Sequence, residues 1–198
     1  MLVFITGGVR SGKSAFAERL ASSFLTSDRN KLIYVATSKI YDSEMKMRIE
    51  KHQEDRGRSG LEWETWEQST QLEHILPNFR EHHVVLVDCL TTLVANELFF
   101  EIDMWNDPEY RQKIFKRISS FLTEVKKNNV TILLVSNELL NGGTSYDAAT
   151  LSYMKLIGLL HQKIVEIANA VYLVEAGIPL RLKGRDENER NYASRYKL

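Results

Sequence analysis

The chain has 198 residues, with 26 Lys plus Arg against 26 Asp plus Glu and a formal net charge of zero. That balance supplies no global field for nucleic acid or an acidic membrane surface, so neither partner is expected. A single cysteine, Cys89, excludes an intrachain disulfide framework and a cysteine-built zinc site, and fits a reducing cytoplasm. The length suits one domain with a substantial core, expected over 1–184. The stretch 185–198 is polar and lacks apolar periodicity, so it reads as a flexible tail. Met1-Leu2-Val3 runs straight into an apolar segment without a basic leader, so no signal peptide is expected. No apolar run approaches the ~20 residues that span a bilayer, so no membrane insertion is expected.

Leu2–Thr6 is continuous, apolar and partly β-branched, as a buried strand should be. Gly7-Gly8-Val9-Arg10-Ser11-Gly12-Lys13-Ser14 follows, spelling G-x-x-x-x-G-K-S, and Ala15–Leu25 then repeats apolar residues at helical spacing (Phe16, Leu20, Phe24). Strand, glycine-rich loop and helix together are the context of a phosphate-binding P-loop. The glycines let successive N–H groups turn toward phosphate oxygens. Lys13 is expected on the β- and γ-phosphates and the Ser14 hydroxyl on Mg²⁺, so a bound nucleoside triphosphate is expected.

Further strand-like runs are Leu32–Thr37, Val84–Asp88, Val130–Ser136, Val171–Glu175 and Leu180–Leu182; helices are expected over Ser43–Asp55, Thr92–Glu101, Pro108–Lys127 and Asp147–Ala168. Pro108 suits a first helical turn, with Asp107 or Asn106 as cap. Uniformly apolar strands alternating with amphipathic helices predict an α/β fold of the P-loop NTPase type, a mostly parallel sheet with helices on both faces.

Val84-Val85-Leu86-Val87-Asp88 ends an apolar strand in an acid. Ligands of open α/β sheets bind beyond the carboxyl ends of strands, where Asp88 can support the Mg²⁺ shell; the other reading is a cap for the next turn. Thr91 and Thr92 are candidate N-caps. In the segment 42–56, Met45, Ile49 and His52 share one helical face amid charge. His52 has two readings: a half-buried helical histidine with a carboxylate partner, or an imidazole nucleophile that attacks phosphorus. His74, His82, His83 and His161 read as surface or packing residues.

These residues together resemble the bifunctional adenosylcobinamide kinase/adenosylcobinamide-phosphate guanylyltransferase family. The resemblance rests on Gly7 to Ser14, Tyr34-x-Ala36-Thr37-Ser38, Asp42-x-Glu44-Met45-x-x-Arg48-Ile49-x-x-His52-x-x-x-Arg56 and Trp63-x-Thr65-x-Glu67. It continues through Asp88-Cys89-x-Thr91-Thr92-x-Val94-x-Asn96, Val135-Ser136-Asn137-Glu138 and Val171–Leu180, and covers about residues 1–183. The resemblance implies two reactions: phosphorylation of adenosylcobinamide with ATP or GTP, then GMP transfer from GTP through a covalent GMP–histidine to give adenosylcobinamide-GDP. It implies that His52 carries the GMP, with Lys13 also catalytic. It further implies that Thr37, Ser38, Lys39, Arg56, Glu67 and Asp88 surround the guanine nucleotide, and that the protein is a homo-oligomer, a trimer or a multiple of one. The remaining readings are a related kinase or nucleotidyltransferase for another acceptor, and a nucleotide-binding regulatory module without transfer.

The chain departs from the family pattern in three places. Leu140-Asn141-Gly142-Gly143-Thr144-Ser145 replaces Gly-x-Gly-Ile-Val-Pro, Leu151-Ser152-Tyr153-Met154-Lys155 replaces Arg-x-Phe-Arg-Asp, and His161 replaces Asn.

Overall fold

The computed structural model describes residues 1–25, 30–39, 57, 60–139 and 147–184. The expected helix over Ser43–Asp55, His52, Arg56, the 140–145 departure and the polar tail lie outside those residues or largely so. The described strands are β1 (Leu2–Gly7), β2 (Lys31–Ala36), β3 (Trp63–Glu67), β4 (His83–Asp88), β5 (Thr131–Asn137), β6 (Ala170–Glu175) and β7 (Ile178–Lys183). They form one seven-stranded sheet in the order β3-β2-β4-β5-β1-β6-β7, parallel throughout except for the antiparallel β6–β7 pair. Every residue of β1 is buried, as expected of a parallel strand covered on both faces.

The described helices are α1 (Lys13–Ser23), α2 (Leu90–Leu98), α3 (Pro108–Lys127) and α4 (Ala148–Ile167), with short 3₁₀ turns at Leu72–Asn78 and Met104–Asn106. α3 has the expected bounds. Pro108 sits in its first turn, Asp107 Oδ1 accepts from the Glu109 amide at 2.8 Å, and Lys126 and Lys127 lie in the last turn. Its buried residues Ile114, Ile118, Phe121, Leu122 and Val125 recur at helical spacing, so one stripe faces the sheet. α4 is capped by Asp147, which accepts from the Thr150 amide at 2.8 Å.

Side-chain alternation along the strands divides the core into two layers. On one face Phe16, Ala17, Leu20 and Ala21 of α1 pack with Val3, Ile5, Tyr34, Leu86, Leu133 and Val135. On the other, α2, α3 and α4 pack on Leu2, Phe4, Ile33, Val35, Val85, Val87, Ile132 and Leu134. Arg117 of α3 pairs with the buried Glu97 of α2, whose Oε1 also accepts from the Gln71 amide at 2.6 Å.

Two expectations need correction. Helix α2 begins at Leu90 with Cys89 as its N-cap residue, so neither Thr91 nor Thr92 caps it. The strand Trp63–Glu67 was not anticipated. It is an edge strand whose residues are only half-buried or exposed, so it lacks the continuous apolar run that marks the central strands.

Candidate functional site

β1 ends at Gly7 and α1 begins at Lys13, so the expected glycine loop lies between a strand end and a helix N-terminus. Its shape is set by backbone contacts with the β6–β7 hairpin. A Cβ on Gly7 would lie 2.3 Å from the Val174 carbonyl oxygen, which no side chain tolerates. Gly12 caps α1 at φ 89°, and a Cβ there would come within 3.2 Å of Gly177 Cα. The Gly177 amide donates to the Ser11 carbonyl at 2.8 Å, turning that carbonyl toward the hairpin. The hairpin turns tightly because Ala176 and Gly177 both have positive φ, the requirement of a two-residue type I′ loop.

Lys13 is buried, and its ammonium donates to the Gly8 carbonyl at 3.0 Å. Ser14 stands half-buried beside it in the first turn of α1, while Gly8, Val9 and Arg10 are exposed, Arg10 with φ 61°. The Ser11 hydroxyl oxygen is buried and has no hydrogen-bond partner among the described residues. An orphaned hydroxyl, a lysine folded over its own loop and a helix N-terminus without acidic residues in its first turn lie together at the end of β1, groups of the kind that favour an anion.

Asp88 ends β4, half-buried, with Oδ2 accepting from the Tyr34 hydroxyl at 3.3 Å. Leu86 and Tyr34 both lie in the α1-side core, so alternation puts the Asp88 carboxylate on the face where α1 starts. The turn after it is fixed by side chains. Thr37, wholly buried, donates its hydroxyl to the Cys89 carbonyl at 2.9 Å and accepts from the Cys89 amide at 2.7 Å. Asn96 of α2 donates to the carbonyls of Thr37 (2.9 Å) and Ser69 (3.0 Å), tying the ends of β2 and β3 to α2. Cys89 Sγ contacts the hydroxyls of Thr91 at 2.9 Å and Thr92 at 3.2 Å. Burial, and secondarily the Asp88 charge, push its thiol pKa up, so Cys89 stays a neutral thiol.

Of the other expected residues, Ser38 and Lys39 follow Thr37 and are half-buried, and Lys39 Nζ lies 5.9 Å from the centroid of the Phe100 ring. Glu67 is exposed at the end of β3 and is in register with Ala36, which is in register with Asp88 on its other side. Parallel register therefore gathers Glu67, Thr37 and Asp88 at one edge of the sheet, with the glycine loop two strands beyond Asp88. His161 is buried and bonded to the Ser136 hydroxyl at 2.8 Å, so it packs with a polar partner that the sequence did not disclose.

Four residues escaped a role in the sequence reading. Tyr34 and Asn96 orient the Asp88 end. Asn137, at the end of β5 opposite Gly7, donates to the Thr91 hydroxyl at 3.0 Å. Tyr153 donates to the Thr91 carbonyl at 2.9 Å. It stands where the family pattern has Phe, so its added hydroxyl has a partner ready. Only the hydrogen-bond partners could have exposed these roles, and they lie 46 to 62 residues away for four of the five bonds involved.

A model of the family described as cobinamide kinase / cobinamide phosphate guanyltransferase matches residues 3–182. The chain belongs to that family. Its relatives include the "Bifunctional adenosylcobalamin biosynthesis protein CobU" of Escherichia coli strain K12, 32% identical over 92% of this chain and 100% of the relative. The like-named protein of Salmonella typhimurium is 30% identical, again over 92% of this chain and 100% of the relative. The "Bifunctional adenosylcobalamin biosynthesis protein CobP" of Pseudomonas aeruginosa is 35% identical over 91% of this chain and 96% of its own length. As a member of this kinase/guanyltransferase family, the chain is a transferase of cobalamin biosynthesis.

The oxygen donors at the site also fit a hard cation. Mg²⁺ takes one or two carboxylates together with substrate phosphates rather than an all-protein cage. The described residues include no group of three or more His, Cys, Asp or Glu side chains able to hold a metal alone. Ser14 and Asp88 offer a hydroxyl and a carboxylate on the face where α1 starts, oxygen donors of the type such a cation takes.

Proposed function

We propose that this chain carries out both reactions in its family's description, using one nucleotide site. A triphosphate lies on the amides of Gly7–Ser14, with Arg10 and Lys13 against its charge and Ser14 and Asp88 as donors to Mg²⁺. Bound Mg²⁺ supplies neutralisation of the phosphate oxygens. In the first reaction the hydroxyl oxygen of adenosylcobinamide attacks the γ-phosphorus of ATP or GTP. The bond to the β–γ bridging oxygen breaks, the nucleoside diphosphate leaves, and the hydroxyl proton passes to solvent water. In the second, a neutral His52 ring nitrogen attacks the α-phosphorus of GTP and pyrophosphate leaves. A phosphate oxygen of adenosylcobinamide phosphate then attacks the same phosphorus, giving adenosylcobinamide-GDP and freeing His52. Thr37, Ser38, Lys39, Arg56 and Glu67 border the guanine nucleotide in this reading.

The observation that carries it is the common face of buried Lys13, adjacent Ser14 and the Asp88 carboxylate, in a chain matched to the family over residues 3–182. Catalysis there is positioning and charge neutralisation, which serves attack at either phosphorus. The covalent step divides one transfer in two. A homo-oligomer, trimeric by resemblance, is part of the proposal. It is supported by the row Ile178, Leu180 and Leu182 on edge strand β7, 63%, 48% and 64% exposed, and light scattering tests it. We also assign the reactions to the cytoplasm, in keeping with the free thiol Cys89 and with the absence, among the described residues, of a helix able to cross a membrane.

The test is incubation with Mg²⁺ and GTP labelled at the α-phosphate, without acceptor. The expected product is an acid-labile, alkali-stable GMP adduct that maps to His52 and disappears in His52→Ala, while γ-phosphate transfer to cobinamide persists in that variant. Equal loss of both reactions in His52→Ala would contradict the assigned role. Turnover with another alcohol and none with cobinamide would move the acceptor.

A further inference from the structure

The strand carrying the glycine loop and the strand carrying Asp88 are not neighbours. β5 lies between them, so the two ends are about 10 Å apart across the sheet, two strand spacings. What fills that gap is the end of β5. It runs two residues past the Asp88–Val135 pairing, and its last residue, Asn137, is in register with Gly7. Leu133 and Val135 lie in the α1-side core, so alternation puts the Asn137 side chain on the face shared by Asp88 and the start of α1.

Its amide group is held from one side only. Nδ2 donates to the Thr91 hydroxyl at 3.0 Å and contacts Cys89 Sγ at 3.9 Å. Thr91 is fixed in turn, through its carbonyl, by the Tyr153 hydroxyl at 2.9 Å. Oδ1 has no hydrogen-bond partner among the described residues, and Asn137 is half-buried rather than sealed in the core. An anchored NH₂ with an unpaired oxygen is an acceptor of fixed direction. A triphosphate offers that oxygen no donor; an O–H group does.

We propose that Asn137 is a further catalytic residue of the nucleotide site, its Oδ1 accepting a hydrogen bond from an O–H group held between the glycine loop and Asp88. This rests on the nucleotide reading above. Two species there carry such a hydrogen: a water on the cation that accompanies the nucleotide, and the attacking hydroxyl of the acceptor. Asn137 orients the oxygen and takes no proton, since an amide is not a base at neutral pH. Thr91 is a positioning residue that holds the carboxamide in register.

The experiment compares wild type, Asn137→Ala, Asn137→Asp and Thr91→Val. GTP dissociation constants are measured with Mg²⁺ and with EDTA, alongside kcat and KM for the phosphorylation and guanylyl steps, and urea unfolding midpoints. Asn137→Ala is expected to lose about tenfold or more in kcat, the equivalent of one hydrogen bond at the transition state, with its unfolding midpoint and its affinity in EDTA unchanged. Asn137→Asp keeps an acceptor oxygen and recovers part of kcat, while Thr91→Val gives a smaller loss than Asn137→Ala. If the hydrogen bond comes from the metal-bound water, Asn137→Ala lowers the Mg²⁺-dependent gain in GTP affinity and slows both reactions. If it comes from the acceptor hydroxyl, Asn137→Ala leaves that gain intact and slows only phosphorylation. Wild-type binding and kcat in Asn137→Ala overturn the proposal, as does a loss that only tracks the unfolding midpoint. Failure of wild type itself to bind GTP overturns the nucleotide reading instead, and is seen before any variant is compared.

Discussion

The two ends of the site are built differently. The glycine loop is positioned by backbone: Gly7 against the Val174 carbonyl, Gly12 against Gly177, and the Gly177 amide on the Ser11 carbonyl. The Asp88 end is positioned by side chains: Thr37 on both backbone groups of Cys89, Asn96 on the carbonyls of Thr37 and Ser69, and Tyr34 on the carboxylate. A backbone-built site tolerates no added atoms, whereas a side-chain-built site tolerates changes that keep its hydrogen bonds. Substitutions at the two ends should therefore differ in kind.

The largest effect belongs to Gly7→Ala. With 2.3 Å between the new Cβ and the Val174 oxygen, either the loop or the hairpin must move. Destabilisation of about 3 kcal/mol or more is expected, with weakened nucleotide binding, read from urea unfolding and a GTP titration. A loss under about 1 kcal/mol would show that the hairpin does not brace the loop.

Thr37→Val probes the other end at nearly constant volume. It leaves the Cys89 amide and carbonyl without their hydroxyl partner in the interior, at a cost of about 1–3 kcal/mol. Thr37→Ser, which restores the hydroxyl, should recover most of that stability and the Mg²⁺-dependent affinity for GTP. If Thr37→Ser were as damaging as Thr37→Val, the methyl packing rather than the hydrogen bonds would position this end.

Gly177→Ala sharpens the contrast, because it is the same substitution as Gly7→Ala with a different obstacle. No atom lies within 4 Å of the added Cβ, so only the positive φ of 82° opposes it, about 1 kcal/mol by unfolding. A loss as large as that of Gly7→Ala would mean the turn itself, and not the close approach at Gly7, governs the loop.

The same division explains what the sequence disclosed. A loop that needs glycine at two positions leaves a spacing motif, and buried parallel strands leave apolar runs, so the loop, Asp88 and the central sheet were legible. Thr37, Asn96 and Tyr34 could not be read as a clamp, because their partners lie 27 to 59 residues away in the chain and any hydroxyl or amide is a candidate. Strand β3 was missed because, at the sheet edge, Trp63 and Trp66 are half-buried between exposed Glu64, Thr65 and Glu67. The tyrosine at 153 stands within a departure from the family pattern, and its hydroxyl ties α4 to the first turn of α2.

The smallest effect concerns His161, which replaces the family's Asn on the face of the sheet away from α1. Its ring packs edge-on against Phe4 at 5.1 Å, and its Nε2 meets the Ser136 hydroxyl. Burial is the main cause that pushes its pKa below 6.5, with Glu138 opposing, so the folded state keeps the ring neutral where the unfolded chain has already taken a proton. The sign follows from linkage. The group imposes no penalty above the unfolded value, and stability falls as pH drops below about 6.5, levelling off once the folded-state pKa is passed. His83 shifts in the same direction, also mainly through burial, so the whole-protein pH curve cannot isolate one ring. The difference between wild type and His161→Asn can: wild type should lose stability relative to the variant as pH falls below about 6.5, and the two curves should run parallel well above that pH. Parallel curves over the whole range would mean that the folded protein accepts the proton at His161 without strain, and that the Ser136 contact, rather than burial, sets its titration.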